Sequence, residues 1–388
     1  MIPFRYNARS LLARKTTTVA TALGVALVVF VLASALMLSA GIEKTLASSG
    51  QADCAIVLRK GSDAESNSTI EDPQIGVILS APGVAVDEKG KPLGAGEVAA
   101  IVSLDKSSGE GMTNVMIRGV SDRSFALRPS LRVAAGRAPK PGSDEAIIGK
   151  NLRGRFPGFE IGQSFELKKN RKATVVGILE DRGSSYESEV WADIDTVKGA
   201  FGREGTVSSV RVRLTSAAAF DGFDAAVEGD KNLGFEALRE VAYYEKQSEG
   251  LTLFVTALGS VIAFFFSVGA MIGAMITMYG AISQRQREIG TLRALGFSRS
   301  GILLSFLLES ALLSFLGGVV GVLGATAMKF VSFSMVNFSS FSELVFSFEP
   351  TPGILGAALA SGALMGVLGG FFPALRAARL SPVIAMRG

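Results

Sequence analysis

Histidine, the side chain most hydrolytic mechanisms rely on, is absent from all 388 residues. That removes histidine-based nucleophile triads, HExxH metal sites and imidazole general bases. One cysteine, Cys54, permits neither an intrachain disulfide nor a thiolate zinc site. Gln51, Ala52 and Asp53 before it are polar where a lipid-attachment motif is apolar, so Cys54 reads as a small buried residue. No GxxxxGK[ST] phosphate loop occurs, so if ATP drives this protein another chain binds it. Glu187 and Glu189 are not grouped with other residues into a site and read as surface charges. Two features keep chemical potential. Glu309 is the one ionisable residue inside a long apolar run. Residues 285–296 bring Arg285, Arg287, Glu288 and Arg293 together with Ile289, Leu292 and Leu295, a charged and apolar mixture suited to docking another protein.

Both features belong to membrane-scale elements. About 20 helical residues cross a hydrocarbon core of roughly 30 Å. Residues 19–40, 251–281, 302–328 and 351–372 qualify. Lys and Arg beside spans set orientation. Residues 1–15, the loop between the second and third runs, and the tail together carry eleven basic residues against one acid, Glu288. The segment between the first and second runs holds 27 basic and 31 acidic residues. All three basic segments share one side only with four spans, which predicts cytoplasmic termini and an outside insert. The expected class is a membrane protein of four transmembrane α-helices with a mixed α/β extracytoplasmic domain inserted between helices 1 and 2. The expected organisation is a cytoplasmic amphipathic helix (1–15), TM1 (16–41), the extracytoplasmic domain with stalk ends (42–250), TM2 (251–281), a coupling loop (282–301), TM3 (302–328), an extracytoplasmic loop (329–350), TM4 (351–372) and a cytoplasmic tail (373–388). A frayed basic tail is the alternative for residues 1–15. The first run exceeds a signal-peptide core, so it reads as a retained anchor.

Within the insert, alternation marks strands at 52–59, 97–104, 114–120, 145–149, 164–168, 173–179, 189–192 and 207–214. Helices are expected at 70–80, 194–201 and 217–228, and a loop at 60–68. Eight strands leave room for two subdomains. Residues 41–49 and 237–250 read as helical outward extensions of the spans, with flexible linkers as the alternative.

Small residues recur every four positions inside the runs: Gly269 and Gly273, then Gly317 and Gly321, then Gly362, Gly366 and Gly370. Such faces let helices approach closely. Packing within the chain is expected for spans two to four, and Ala20 and Gly24 of span one are a weaker candidate for subunit contact. Glu309, near Ser305, Ser310 and Ser314, reads as a hydrogen-bonded or protonated packing residue. Residues 285–295 can form a short surface helix that Gly296 terminates.

Residues 285–296, Arg-Gln-Arg-Glu-Ile-Gly-Thr-Leu-Arg-Ala-Leu-Gly, resemble the charged loop of FtsX-like permeases. Residues 373–382, from Pro373 through Ala374 and Ala377 to Pro382, resemble that family's terminal segment. In the insert, Ile117-Arg118-Gly119-Val120, Ala135-Gly136-Arg137, Ala146-Ile147-Ile148-Gly149 and Val175-Val176-Gly177-Ile178-Leu179 follow the order of MacB-type periplasmic domains. The resemblance implies a MacB-type (type VII) ABC transporter permease in the bacterial inner membrane. It implies a second permease copy or paralogue, and a cytoplasmic ATPase dimer that holds ATP and magnesium, with no cofactor in this chain. It implies mechanotransmission for export or extraction of a substrate, and leaves open a periplasmic adaptor and outer-membrane channel. Membrane lipids are expected partners and nucleic acid is not. The chain starts fifteen residues before span one, which reads as a split arrangement with a separate ATPase polypeptide. An FtsX-like signalling or scaffold role is the alternative function, and a membrane enzyme has little support.

Overall fold

The computed structural model describes residues 15–109, 111–229 and 234–380. The amphipathic helix expected over residues 1–15 lies, apart from Lys15, outside them, as does the end of the tail. The chain divides into two compact units: Met1–Gly41, Leu253–Ser332 and Ser347–Gly388 form one, and Ile42–Thr252 with Phe333–Phe346 the other.

Among the described residues, four helices are long and apolar enough to cross a membrane. They are Lys15–Ala47, Glu240–Gln284, Arg299–Ala327 and Pro352–Ala378. Each overruns its apolar stretch. The second has 45 residues, about 68 Å of helix at about 1.5 Å per residue. Its start corrects the expected helical stretch 237–250: Phe235–Arg239 is a strand and the helix begins at Glu240. Phe235 and Ala237 point inward at strand spacing, and pairing with a neighbouring strand satisfies their backbone. Within the membrane-type unit, helices hold together by close approach and by hydroxyls. Thr21 donates to Thr277 Oγ1 (3.1 Å), Ser39 and Thr256 share a hydrogen bond (2.9 Å), and Ser310 donates to the Gly366 carbonyl (2.6 Å).

The α/β unit is built on strands β1 (Cys54–Arg59), β2 (Ile70–Glu71), β3 (Gly94–Asp105), β4 (Met112–Val120), β5 (Arg132–Gly136), β6 (Glu145–Gly149), β7 (Ser164–Lys168), β8 (Arg171–Glu180), β9 (Glu189–Asp193), β10 (Thr206–Val207), β11 (Ser209–Arg213) and β12 (Phe235–Arg239); β13 (Ser332–Val336) and β14 (Glu343–Ser347) follow the third long helix. Ten strands make one sheet, ordered β12-β1-β11-β3-β4-β9-β6-β8-β5, with β7 also on β8. This corrects the expectation of room for two subdomains. The twelve residues of β3 pair with β11 through Gly94–Glu97, then with β4 through Val98–Asp105, so one strand joins both halves. One apolar core, including Val57, Val98, Ile117, Ile148, Val190 and Phe223, runs beneath it. The helix expected at 70–80 starts at Asp72, because Ile70 and Glu71 pair with Val207 and Thr206. β5 escaped the sequence reading because all five of its residues are exposed, so burial imposes no alternation on it. Residues 329–350, expected as a plain loop, contain the β13–β14 hairpin.

Candidate functional site

The charged segment forms a helix, Gln286–Ala294. Arg285, whose backbone N–H donates to the Ile282 carbonyl (3.1 Å), sits at its N-cap and is turned inward, only 7% exposed. Its Nε donates to Glu288 Oε2 (3.1 Å) and its Nη1 to Glu309 Oε2 (3.2 Å), while the Phe306 ring centre lies 5.5 Å from the guanidinium carbon. The carboxylate expected to be a hydrogen-bonded or protonated packing residue is therefore half of a buried ion pair. Its partner is a residue that the sequence places in a loop. Ile289, 2% exposed, packs with Met278, Ile282, Ile302, Phe306 and Ala374. The apolar edge is thus divided: Ile289 belongs to the bundle, Leu292 is half-buried and Leu295 is 72% exposed. Arg287 and Glu288 face outward, and Arg293 donates to the Phe297 carbonyl (3.1 Å).

Gly296 ends the helix with φ +93°, which an L side chain rarely adopts. Phe297 N–H reaches the Leu292 carbonyl (3.2 Å) and Gly296 N–H the Arg293 carbonyl (3.2 Å), closing a Schellman motif.

The glycines separate into two groups. A Cβ on Gly317 or Gly321 would lie 2.5 Å from the Ala22 or Ala26 carbonyl oxygen, and on Gly362 2.8 Å from Val29 Cγ2. Gly366 and Gly370 are pressed against Ser314 and Ser310. These five hold the first, third and fourth helices at close approach. Gly269 and Gly273 correct the expectation of packing within the chain: a Cβ on either meets nothing within 4 Å. With Ala20, Thr21 and Gly24 they line an open groove of about 360 Å³ between the first two helices. Phe265 and Phe266 line it as well.

The α/β unit contains a cluster that the sequence reading missed. Arg118, Arg128 and Arg211 meet Glu65, Glu97, Glu189 and Glu240, all at most 5% exposed. Arg118 uses all five N–H donors on carboxylates: Glu189 (2.7 and 2.9 Å), Glu65 (2.9 and 2.9 Å) and Glu97 (3.1 Å). Arg128 forks onto Glu97 at 2.7 and 2.8 Å, and Arg211 reaches Glu97, Glu65, Glu240 and the Tyr244 hydroxyl. Burial opposes ionisation of Glu97. The three guanidiniums outweigh that and hold its carboxyl down at about 2. The cluster lies where β3 exchanges β11 for β4. Glu187 and Glu189 are corrected from surface charges to buried groups. Glu189 pairs with Arg118 and accepts from Trp191 Nε1 (2.9 Å), and Glu187 accepts from the backbone of Asp181 and Gly183. A charge among apolar strand residues, as in Val210-Arg211-Val212, is the signal that could have found it. Cys54 is buried, and burial pushes its thiol up to about 12, far from a reactive thiolate. Among the described residues no three His, Cys, Asp or Glu side chains converge to hold a metal.

Comparison with known proteins places these parts together. Residues 16–229 match the family model described as MacB-like periplasmic core domain, and residues 260–382 that described as FtsX-like permease C-terminal. The macrolide export ATP-binding/permease protein MacB of Burkholderia lata is 30% identical over 298 residues, covering 70% of this chain and 41% of that protein. MacB of Bradyrhizobium diazoefficiens is 28% identical over 294 residues, covering 71% and 43%. The chain therefore spans less than half the length of these relatives. Among solved structures, the extracellular domain of the ABC-type transporter YknZ (17% identity, TM-score 0.36) covers 48% of this chain, 99% of that domain being matched. The periplasmic region of MacB from Actinobacillus actinomycetemcomitans (10% identity, TM-score 0.36) covers 49%, with 90% of that region matched. The chain belongs to the MacB-like family of ABC transporter permeases, in which a MacB-like periplasmic core domain is joined to an FtsX-like permease segment.

Proposed function

We propose that this chain transmits motion from a cytoplasmic ATPase dimer, which binds ATP and magnesium, to its α/β unit outside a bacterial inner membrane, for export or extraction of a substrate. In this reading all four long helices cross the bilayer with their arginine-rich flanks in the cytosol. The helix Gln286–Ala294 docks in a groove of the ATPase through Arg287, Glu288, Leu292 and Leu295, and nucleotide-driven closure pushes on it. A second permease copy or paralogue packs against the groove lined by Gly269 and Gly273, whose missing side chains admit close approach. Cargo is handled outside the bilayer core.

The observation that carries this reading is the Arg285–Glu309 ion pair. It fastens the base of an exposed, partner-sized helix to the third long helix by a buried contact, so force on one reaches the other. Leu295→Asp tests it, because Leu295 is exposed and its replacement leaves the buried contacts of Arg285 and Ile289 in place. Capture of the ATPase by the chain should weaken about tenfold, about 1.4 kcal/mol, with membrane insertion unchanged. Unaltered capture together with unaltered ATP turnover in proteoliposomes would remove the proposed docking role.

A further inference from the structure

Inside the α/β unit, against the ionic cluster, lies a cavity of about 20 Å³. Its size admits one water molecule or one small ion. Glu65, Glu189 and Arg118 bring charge to its wall. Ser185, Ser340, Ser342 and Gln247 bring uncharged polar groups, and each of these residues is at most 8% exposed.

The charges around the cavity do not balance. The cluster sets the guanidiniums of Arg118, Arg128 and Arg211 against the carboxylates of Glu65, Glu97, Glu189 and Glu240. One negative charge is left over, and the two carboxylates and one guanidinium on the wall leave the same surplus there. A buried charge without a partner is strongly unfavourable. All five N–H donors of Arg118 are engaged by carboxylates, so Arg118 offers an anion in the cavity no donor.

The oxygens on the wall have capacity to spare. Among the described residues, Glu65 Oε2 and Glu189 Oε1 each accept one hydrogen bond, both from Arg118 Nη2 (2.9 Å), where a carboxylate oxygen can take two. Ser49 Oγ donates to the Thr45 carbonyl (3.0 Å), so in its 2.8 Å contact with Ser185 Oγ the proton comes from Ser185, whose lone pairs stay free. Ser340 and Ser342 share one hydrogen bond (2.8 Å), which leaves lone pairs on both hydroxyls. Gln247 is 8% exposed, and among the described residues its side-chain amide has no hydrogen-bond partner. A buried amide of this kind marks a place where something beyond the chain completes the bonding. Oxygen donors favour a hard cation. The single surplus charge sets the valence, since a divalent ion would overshoot the balance.

We propose that this cavity binds one alkali cation, Na⁺ or K⁺, between Glu65, Glu189, Gln247 and the serine hydroxyls, and that the ion completes the ionic cluster.

Thermal unfolding of the full-length chain in detergent tests it, followed by the emission of Trp191, the chain's one tryptophan, which donates to Glu189 (2.9 Å). Chlorides of Na⁺, K⁺ and N-methyl-D-glucamine are exchanged at constant total concentration, so that general screening cancels. The midpoint should climb by about 3–5 °C for each tenfold rise in Na⁺ or K⁺ above the dissociation constant. N-methyl-D-glucamine is too large for a cavity of about 20 Å³ and should give no rise. Gln247→Lys carries an ammonium into the cavity and should abolish the dependence, with a midpoint in N-methyl-D-glucamine at least that of wild type. Gln247→Leu removes the amide oxygen and should move the rise to higher ion concentration, which keeps the site testable if the lysine variant misfolds. Equal wild-type midpoints in all three salts would overturn the proposal and leave the cavity to water. An ion-dependent midpoint that the variants keep unchanged would overturn it as well, because the ion then binds elsewhere.

Discussion

A buried guanidinium tolerates few replacements, because five donors need acceptors in a fixed plane. Arg118 meets that demand with three glutamates. Arg118→Met would leave buried carboxylates without their shared cation, and breaking such a cluster costs about 3–5 kcal/mol. The prediction is a large fall in the unfolding midpoint of the α/β unit, with Arg118→Lys failing to rescue it because an ammonium has three N–H donors where the guanidinium uses five. A midpoint equal to wild type for either variant would show that the cluster adds nothing. Arg285 and Glu309 call for a cycle of variants. Either Arg285→Met or Glu309→Gln alone should lower the thermal midpoint in detergent, and the double variant should lose less than the sum, with a coupling of about 0.5–3 kcal/mol. Additive losses would mean that the two groups act apart.

Among the elements, close helix approach divides the glycines by function. Gly317→Val drives a side chain into the Ala22 backbone, which cannot retreat without moving a helix, so loss of stability of about 1–3 kcal/mol is expected. Gly269→Val enters open space and should leave the isolated chain as stable as wild type, while weakening self-association on gel filtration in detergent. Equal thermal midpoints for both variants would erase the distinction. The long apolar helices were legible because some 20 uninterrupted apolar residues are a bulk property that no neighbour need supply. The Schellman end at Gly296 was legible because it depends on local chain alone. The Arg285–Glu309 pair was not, since it joins residues from different helices. Nor was the ionic cluster, whose seven members come from separate segments and meet only once the register of β3, β4, β9 and β11 is set. The first strand of the hairpin was hidden for another reason: none of its five residues is buried, so burial imposes no alternation on it.

For the molecule as a whole, pH is a direct probe of these ion pairs. Burial alone would raise the Glu97 and Glu343 carboxyls. The arginines around Glu97, and Ser334, Thr113 and Arg155 around Glu343, instead bring both down to about 2 from an ordinary 4.5. A depressed carboxyl stabilises the fold above its unfolded value and loses that contribution as pH falls through the folded value. Melting temperature should therefore hold level from neutrality to about pH 5 and fall between about 4.5 and 2. Glu343→Gln should make that fall shallower, and identical acid profiles for variant and wild type would deny Glu343 its share.

The cluster's tuning has a further consequence. Its shifts lead away from neutrality: Glu65 and Glu97 downward, Arg118, Arg128 and Arg211 upward, and the adjoining Tyr186 up to about 12. The chain offers no imidazole to fill the gap. The ionic hub is in effect proton-blind under ordinary growth conditions. The α/β unit then keeps the same internal wiring from mildly acid to mildly alkaline surroundings.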